Sequence, residues 1–119
     1  MGLTRVRVRL RKDKRSPDFA EEELLVDSGA AFSVVPASLL ARLGVEADEE
    51  REFRLANGDR IVRKIGEAYF EYAGHGRFSP VIFGLPGDHK LLGAVTMEAL
   101  ALVLDPLNRE LKPLPMLLM

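Results

Sequence analysis

The sequence predicts a mainly β domain with one or two short helices, and three observations carry that expectation. Val6, Val8 and Leu10 alternate with Arg5, Arg7 and Arg9, the period of a strand with one face in water. Asn57-Gly58 lies between Phe53-Arg54-Leu55 and Ile61-Val62, a hairpin signal, because Asn-Gly accepts the positive φ angles of a type I′ turn. The other apolar runs are short and bounded by Gly, Pro, Asp and Ser, as strands joined by tight turns require.

In chain order, residues 3–10 are predicted as a strand, with Lys12 to Asp18, including Ser16-Pro17, as its turn. Glu22 to Val26 is a second strand, closed by the turn Asp27-Ser28-Gly29-Ala30. Ala31 to Val35 is a short third strand. Pro36 suits a first helical position, Leu39, Leu40 and Leu43 share one face, and Gly44 is a C-terminal stop. Val45 to Arg51 is acidic and polar and reads as a surface loop. After the Asn57-Gly58 hairpin, Glu67 to Tyr72 and Phe78 to Phe83 form a second one around Gly74-His75-Gly76. Gly84 to Gly87 is a loop, and Leu91-Leu92-Gly93 a short buried strand. Thr96 is an N-cap candidate for a helix reaching about Leu102, with Glu98 near its positive end. Val103-Leu104 begins a strand, and Asp105 to Arg109 is a turn, with Asp105 as its side-chain acceptor.

Composition narrows the function classes. A chain of 119 residues with 47% hydrophobic and 29% charged residues fits one domain, residues 1–119. Folding at this length buries roughly two thirds of the unfolded surface, so the core needs no staple. Cysteine is absent, which excludes disulfides, thiolate zinc sites and a cysteine nucleophile. With His75 and His89 as the only imidazoles, no metal site and no cofactor is expected. Charge at Arg5 and Arg7 stands where a signal peptide has its apolar core, and no apolar run has membrane-span length, so a soluble cytoplasmic protein without a membrane partner is expected.

Net charge is −1, but residues 1–15 carry seven cations against Asp13, a net +6 that leaves −7 for the remainder. Such an arm could track phosphates. The strict alternation favours a solvated strand face, and few aromatics interleave with the cations, so nucleic acid is not the expected partner.

Asp27 is the informative residue. A carboxylate directly after Leu24-Leu25-Val26 faces a desolvation cost that stability does not explain. Ser28 offers a hydroxyl, and Gly29 lets backbone amides approach. Alone the triplet marks only a turn. Followed some sixty residues later by Leu91-Leu92-Gly93 and a helix, it resembles the retropepsin-like aspartic proteases, the superfamily of retroviral proteases and their small cellular relatives.

The resemblance spans most of the chain and implies a retropepsin-like fold, a closed small β-barrel or sandwich with a flap hairpin. It implies that Asp27 is catalytic and that Ser28, Gly29, Ala30, Leu92 and Gly93 support the active-site loop. It makes Ala56, Asn57, Gly58 and Asp59 the flap, and Ala31, Val34, His89 and Leu91 candidate walls of the substrate pocket. Tyr69 to Gly84 looks like the second hairpin of retropepsins, and Val103 to Leu111 is similar to the C-terminal segment of the cellular relatives. The hydroxyl at Ser28 is expected to bond across a two-fold axis. Two departures stand out. Where retroviral enzymes pair an acidic residue with an arginine, this chain has Ala31 and Ala94, and Asn57-Gly58 replaces a glycine-rich apolar flap tip.

Peptide hydrolysis by this route needs one ionised and one protonated carboxyl around a water. None of Asp13, Asp18, Asp48, Asp59, Asp88 and Asp105 is followed by Ser-Gly or Thr-Gly, so the second carboxylate is expected from a second copy in a C2 homodimer. The expected function is an aspartic endopeptidase acting on a peptide or protein substrate. The alternatives are a catalytically silent binding or dimerisation module of the same fold, and a small β nucleic-acid binder using the basic arm. The apolar run Leu114 to Met119 reads as an interface strand.

Overall fold

The computed structural model describes residues 3–115. Strands β1 (Arg5–Arg11), β2 (Ala20–Val26), β3 (Ser33–Pro36), β4 (Ala47–Arg54), β5 (Arg60–Tyr72), β6 (His75–Gly84) and β7 (Leu91–Leu92) form one mixed sheet in the order β1-β2-β7-β3-β6-β5-β4. A further pairing joins β1 to β5 through Arg9–Glu71, Leu10–Phe70 and Arg11–Tyr69, which closes six strands into a ring. The protein is a small closed β-barrel with β4 attached outside the ring. Two short helices, α1 (Ala37–Leu43) and α2 (Ala94–Ala99), pack on it, and β8 (Leu102–Asp105) and β9 (Glu110–Pro113) make a separate two-stranded ribbon.

Alternation builds the core. Val6, Val8 and Leu10 point inward from β1, while Leu24 and Val26 of β2 meet Val35, Phe70, Val81 and Leu92. The outward arginines face carboxylates across the strands: Arg7 pairs in register with Glu23, and Arg9 with both Glu21 and Glu71. Arg11 donates to Glu71 at 2.7 Å, and Phe19 lies under the guanidinium of Arg9, 4.1 Å from ring centroid to Cζ. The basic arm is therefore one side of a charge ladder.

Consecutive strands β2 and β3 are not neighbours. β7 lies between them, parallel to β2 through Leu25–Leu91 and Val26–Leu92 and antiparallel to β3 through Val34–Leu91. The loop joining β2 to β3 must therefore cross the end of β7, and Asp27 sits at the start of that loop.

Several local expectations are corrected. Residues 47–51 belong to β4 and are not a loop; the strand is exposed on nearly every residue, so no apolar period announces it, and its ladder to β5 holds it. Asn57-Gly58 is not a type I′ turn, because only Gly58 has a positive φ (93°). Leu55 and Asp59 close a three-residue loop, with the Gly58 N–H donating to the Leu55 carbonyl at 2.9 Å and the Leu55 N–H to Asp59 at 2.7 Å. Two consecutive positive φ values, as a type I′ turn requires, occur at Ala73 (51°) and Gly74 (84°), and His75 is the first residue of β6, paired with Tyr72. Pro36 ends β3 and caps α1, which starts at Ala37. Thr96 is not an N-cap: Gly93 is, and α2 ends at Ala99, which puts Glu98 in its last turn.

Among the described residues no helix is long and apolar enough to cross a membrane. Leu114 donates its N–H to the Ala101 carbonyl, and Met116 to Met119 of the interface-strand expectation lie outside the described residues.

Candidate active site

The loop after β2 is fixed mainly by backbone. The Asp27 N–H donates to the Leu92 carbonyl at 3.0 Å, and the Gly29 N–H donates to the Asp27 Oδ1 at 3.0 Å. The half-buried carboxylate thus has an amide donor from the turn it opens. Ala30 closes the turn by donating to the Asp27 carbonyl. Ser28 and Gly29 are exposed, and the Ser28 hydroxyl bonds no other described residue.

The start of α2 grips the loop from behind. Ala94 and Val95 donate their N–H groups to the carbonyls of Ala30 and Ala31, at 2.8 and 3.0 Å. Gly93 makes this approach possible, because a Cβ there would lie 2.5 Å from the Phe32 carbonyl carbon and 2.8 Å from the Ala31 oxygen.

Behind the loop lies a feature that sequence reasoning missed, a chain of three fully buried hydroxyls. The Gly93 N–H donates to Ser33 Oγ at 2.9 Å, Ser33 Oγ lies 2.5 Å from Thr96 Oγ1, and Thr96 Oγ1 lies 2.7 Å from Ser79 Oγ, which reaches the Pro80 carbonyl at 3.2 Å. Each hydroxyl has one proton, so a single direction satisfies all three: Ser33 donates to Thr96, Thr96 to Ser79, and Ser79 to Pro80. No buried side-chain polar atom among the described residues is left without a partner. A Ser, a Ser and a Thr separated by 46 and 17 residues carry no local pattern that could have revealed them.

In front of the loop is a cavity of about 760 Å³. Gly29, Ala30, Ala31 and Phe32 form one wall, and Val34, Ile82 and Leu91 the floor, the last three being register neighbours across β3, β6 and β7. The β4–β5 hairpin covers it with Arg51, Phe53, Leu55, Ile61 and Arg63, and Gly87 to His89 close the far side. All four expected pocket residues, Ala31, Val34, His89 and Leu91, line this cavity. Asp27 and Ser28 border it through Gly29 and are not in its wall. The expected flap residues Ala56, Asn57, Gly58 and Asp59 form the hairpin tip, where Asn57 and Asp59 bond each other, and the shaft of the hairpin lines the cavity instead. Phe53, Ile61 and Arg63 could have been found from the period-2 pattern on either side of the turn, had β4 been recognised as a strand.

Among the described residues Asp88 is the one acid in the cavity wall, and it is fully engaged. Arg63 donates to both of its oxygens, at 2.7 and 2.9 Å, and the Leu85 N–H donates to Oδ2 at 2.8 Å. These bonds, that from Arg63 foremost, hold the Asp88 carboxyl below the usual carboxylate range, and Asp88 in turn raises the pKa of Arg63. Among the described residues no cluster of three or more His, Cys, Asp or Glu side chains could hold a metal ion. No protein-family model matches the chain, and no curated protein matches its sequence.

Proposed function

We propose that the chain is one subunit of a cytoplasmic homodimeric aspartic endopeptidase of retropepsin-like fold. One observation carries the reading: a half-buried carboxylate, Asp27, opens a loop braced by β7 and α2 beside a peptide-sized cavity, and the cavity's own acid, Asp88, is committed to Arg63. The closed barrel, the covering hairpin and the position of Leu91 to Gly93 between β2 and β3 support the same fold. In this reading two Asp27 carboxylates meet at a two-fold axis around one water. The ionised member takes the water's proton while the protonated member polarises the scissile carbonyl, and water attacks the carbonyl carbon. Ser28, exposed and free of intrachain bonds among the described residues, is available for the bond across the axis that the resemblance implies.

The charge ladder on β1 argues against the nucleic-acid reading, since Glu21, Glu23 and Glu71 face its arginines. The test is hydrolysis of a diverse peptide library by the wild-type chain and by Asp27→Asn. Asn keeps the volume and loses the ionisable group, so cleavage is expected to vanish while the fold persists. Cleavage by Asp27→Asn at the wild-type rate overturns the mechanism, and no cleavage by either protein points to the silent binding module.

A further inference from the structure

The underside of the covering hairpin carries an arrangement that stability disfavours. Alternation aims Arg51 and Phe53 of β4 and Ile61 and Arg63 of β5 at the cavity, which Leu55, just past the end of β4, also lines. Register sets Phe53 against Ile61, an ordinary apolar pair, and Arg51 directly against Arg63. Like charges directly opposite weaken a sheet. Arg63 is compensated by both oxygens of Asp88 in a partly shielded pair. Arg51 is compensated less well: it pairs with Glu49 two residues back on its own strand, with about half of each side chain in solvent (52% and 46%). Its guanidinium carbon lies 5.8 Å from the Phe32 ring centroid, which holds it against the cavity wall. Arg54 borders the same cavity, but alternation turns its side chain to the opposite face of β4, against Arg60. Among the described residues the wall therefore presents one arginine, Arg51, able to take a carboxylate, and its one acid, Asp88, has no oxygen free of Arg63.

We infer that this part of the cavity is a subsite for an acidic side chain of an extended peptide, with Arg51 as its specificity-determining residue. The inference rests on the reading of the cavity as a peptide-binding cleft. A guanidinium matches a carboxylate in planar, two-bond geometry, and the Phe32 ring keeps that of Arg51 at the cavity wall. The exposed Glu49 pair is weak and exchangeable, so an arriving carboxylate can displace it. The preferred substrate then combines apolar side chains, for the floor of Val34, Ile82 and Leu91, with a Glu or Asp close by.

The test uses fluorescent peptides of equal length and identical apolar residues, differing only in Glu, Gln or Lys at each flanking position. Binding is read by anisotropy on the full-length Asp27→Asn chain, which leaves the peptides intact. The Glu peptide should bind at least roughly tenfold more tightly than the Gln peptide, the scale of one charge-assisted contact. Added to that background, Arg51→Gln should erase this ratio, with an unaltered urea midpoint reporting an intact fold. Arg51→Glu should shift preference toward the Lys peptide. Equal affinities for Glu and Gln peptides, a ratio that survives Arg51→Gln in the folded protein, or no binding of any peptide overturns the subsite. Wild-type cleavage separates the two levels: charge-indifferent cleavage sinks the subsite and spares the protease, whereas charge-selective binding without cleavage sinks the protease and spares the subsite.

Discussion

The two sides of the cleft are held by opposite kinds of force. The loop from Asp27 to Phe32 is backed by buried, neutral hydrogen bonds: the amides of Ala94 and Val95, and the Ser33–Thr96–Ser79 chain at no more than 1% exposure. The covering hairpin has scarcely any buried residue beyond the barrel rim and is held by its ladder and by ion pairs, Arg60–Glu52 at its outer face and Arg63–Asp88 at its root. Buried networks fix one geometry because every alternative strands a polar group. Exposed ladders and ion pairs exchange readily with water. A platform fixed by buried bonds below and an exposed, ladder-held cover above suit the proposed function, in which the ligand is a chain that enters and leaves the cleft.

The largest effect should come from breaking the platform. Gly93→Ala drives a Cβ into the carbonyls of Ala31 and Phe32, backbone atoms that cannot swing aside. Urea unfolding should show a loss of about 3 kcal/mol, at the upper end of typical overpacking costs. A change of less than about 0.5 kcal/mol, within the range of ordinary surface substitutions, would mean the loop is not pressed on α2 as described.

Next is Thr96→Val. It keeps the shape and removes the central link, leaving the Ser33 proton without an acceptor and Ser79 without its donor. Stability should fall by about 1–3 kcal/mol, the cost of buried unpaired groups, and Thr96→Ser should recover most of it. An indifferent Thr96→Val would show that the three hydroxyls do not act as a chain.

The smallest effect belongs to the cover. Asp88→Asn should cost about 1 kcal/mol, since the pair it weakens is only partly shielded. It should be felt mainly as greater protease susceptibility and faster amide exchange in residues 47–66. The pH dependence has a definite sign. Asp88 has a folded pKa below its unfolded value, so its contribution is complete above the ordinary Asp pKa of about 3.9 and is lost as pH falls through the lower folded value. The difference between wild type and Asp88→Asn should therefore be flat from neutrality to about pH 5 and shrink below pH 4. A difference that grows on acidification contradicts the assignment.

The same contrast explains what the sequence made legible. Platform elements are apolar and short, and patterns such as Leu24-Leu25-Val26 before Asp27, or Leu91-Leu92-Gly93, mark buried strands wherever they occur. The closed barrel follows from them once β7 is placed between β2 and β3. β4 was hidden because ADEEREFR has almost no apolar residue to show a period; its strand state comes from β5, which is encoded elsewhere. The type I′ turn was misplaced because Asn-Gly is the stronger local signal, yet Ala73-Gly74 takes that geometry under the two-residue spacing that the β5–β6 register imposes. Thr96 has the chemistry of a cap, and burial gave it another task. At the cavity, all four expected wall residues were legible, whereas Arg51, Arg63 and Asp88 were not, because their meeting depends on the fold of a hairpin that was only half recognised.

The central claim is that one catalytic centre is built from two Asp27 carboxylates, each from its own chain. Wild type and Asp27→Asn should be mixed in known proportions, with subunit exchange verified by native mass spectrometry, and peptide hydrolysis measured per total chain. Random pairing makes the active species scale as the square of the wild-type fraction, so an equal mixture should retain about one quarter of the wild-type activity. Retention of about one half, in linear proportion to the wild-type fraction, would mean that each chain works alone and that the shared centre does not exist.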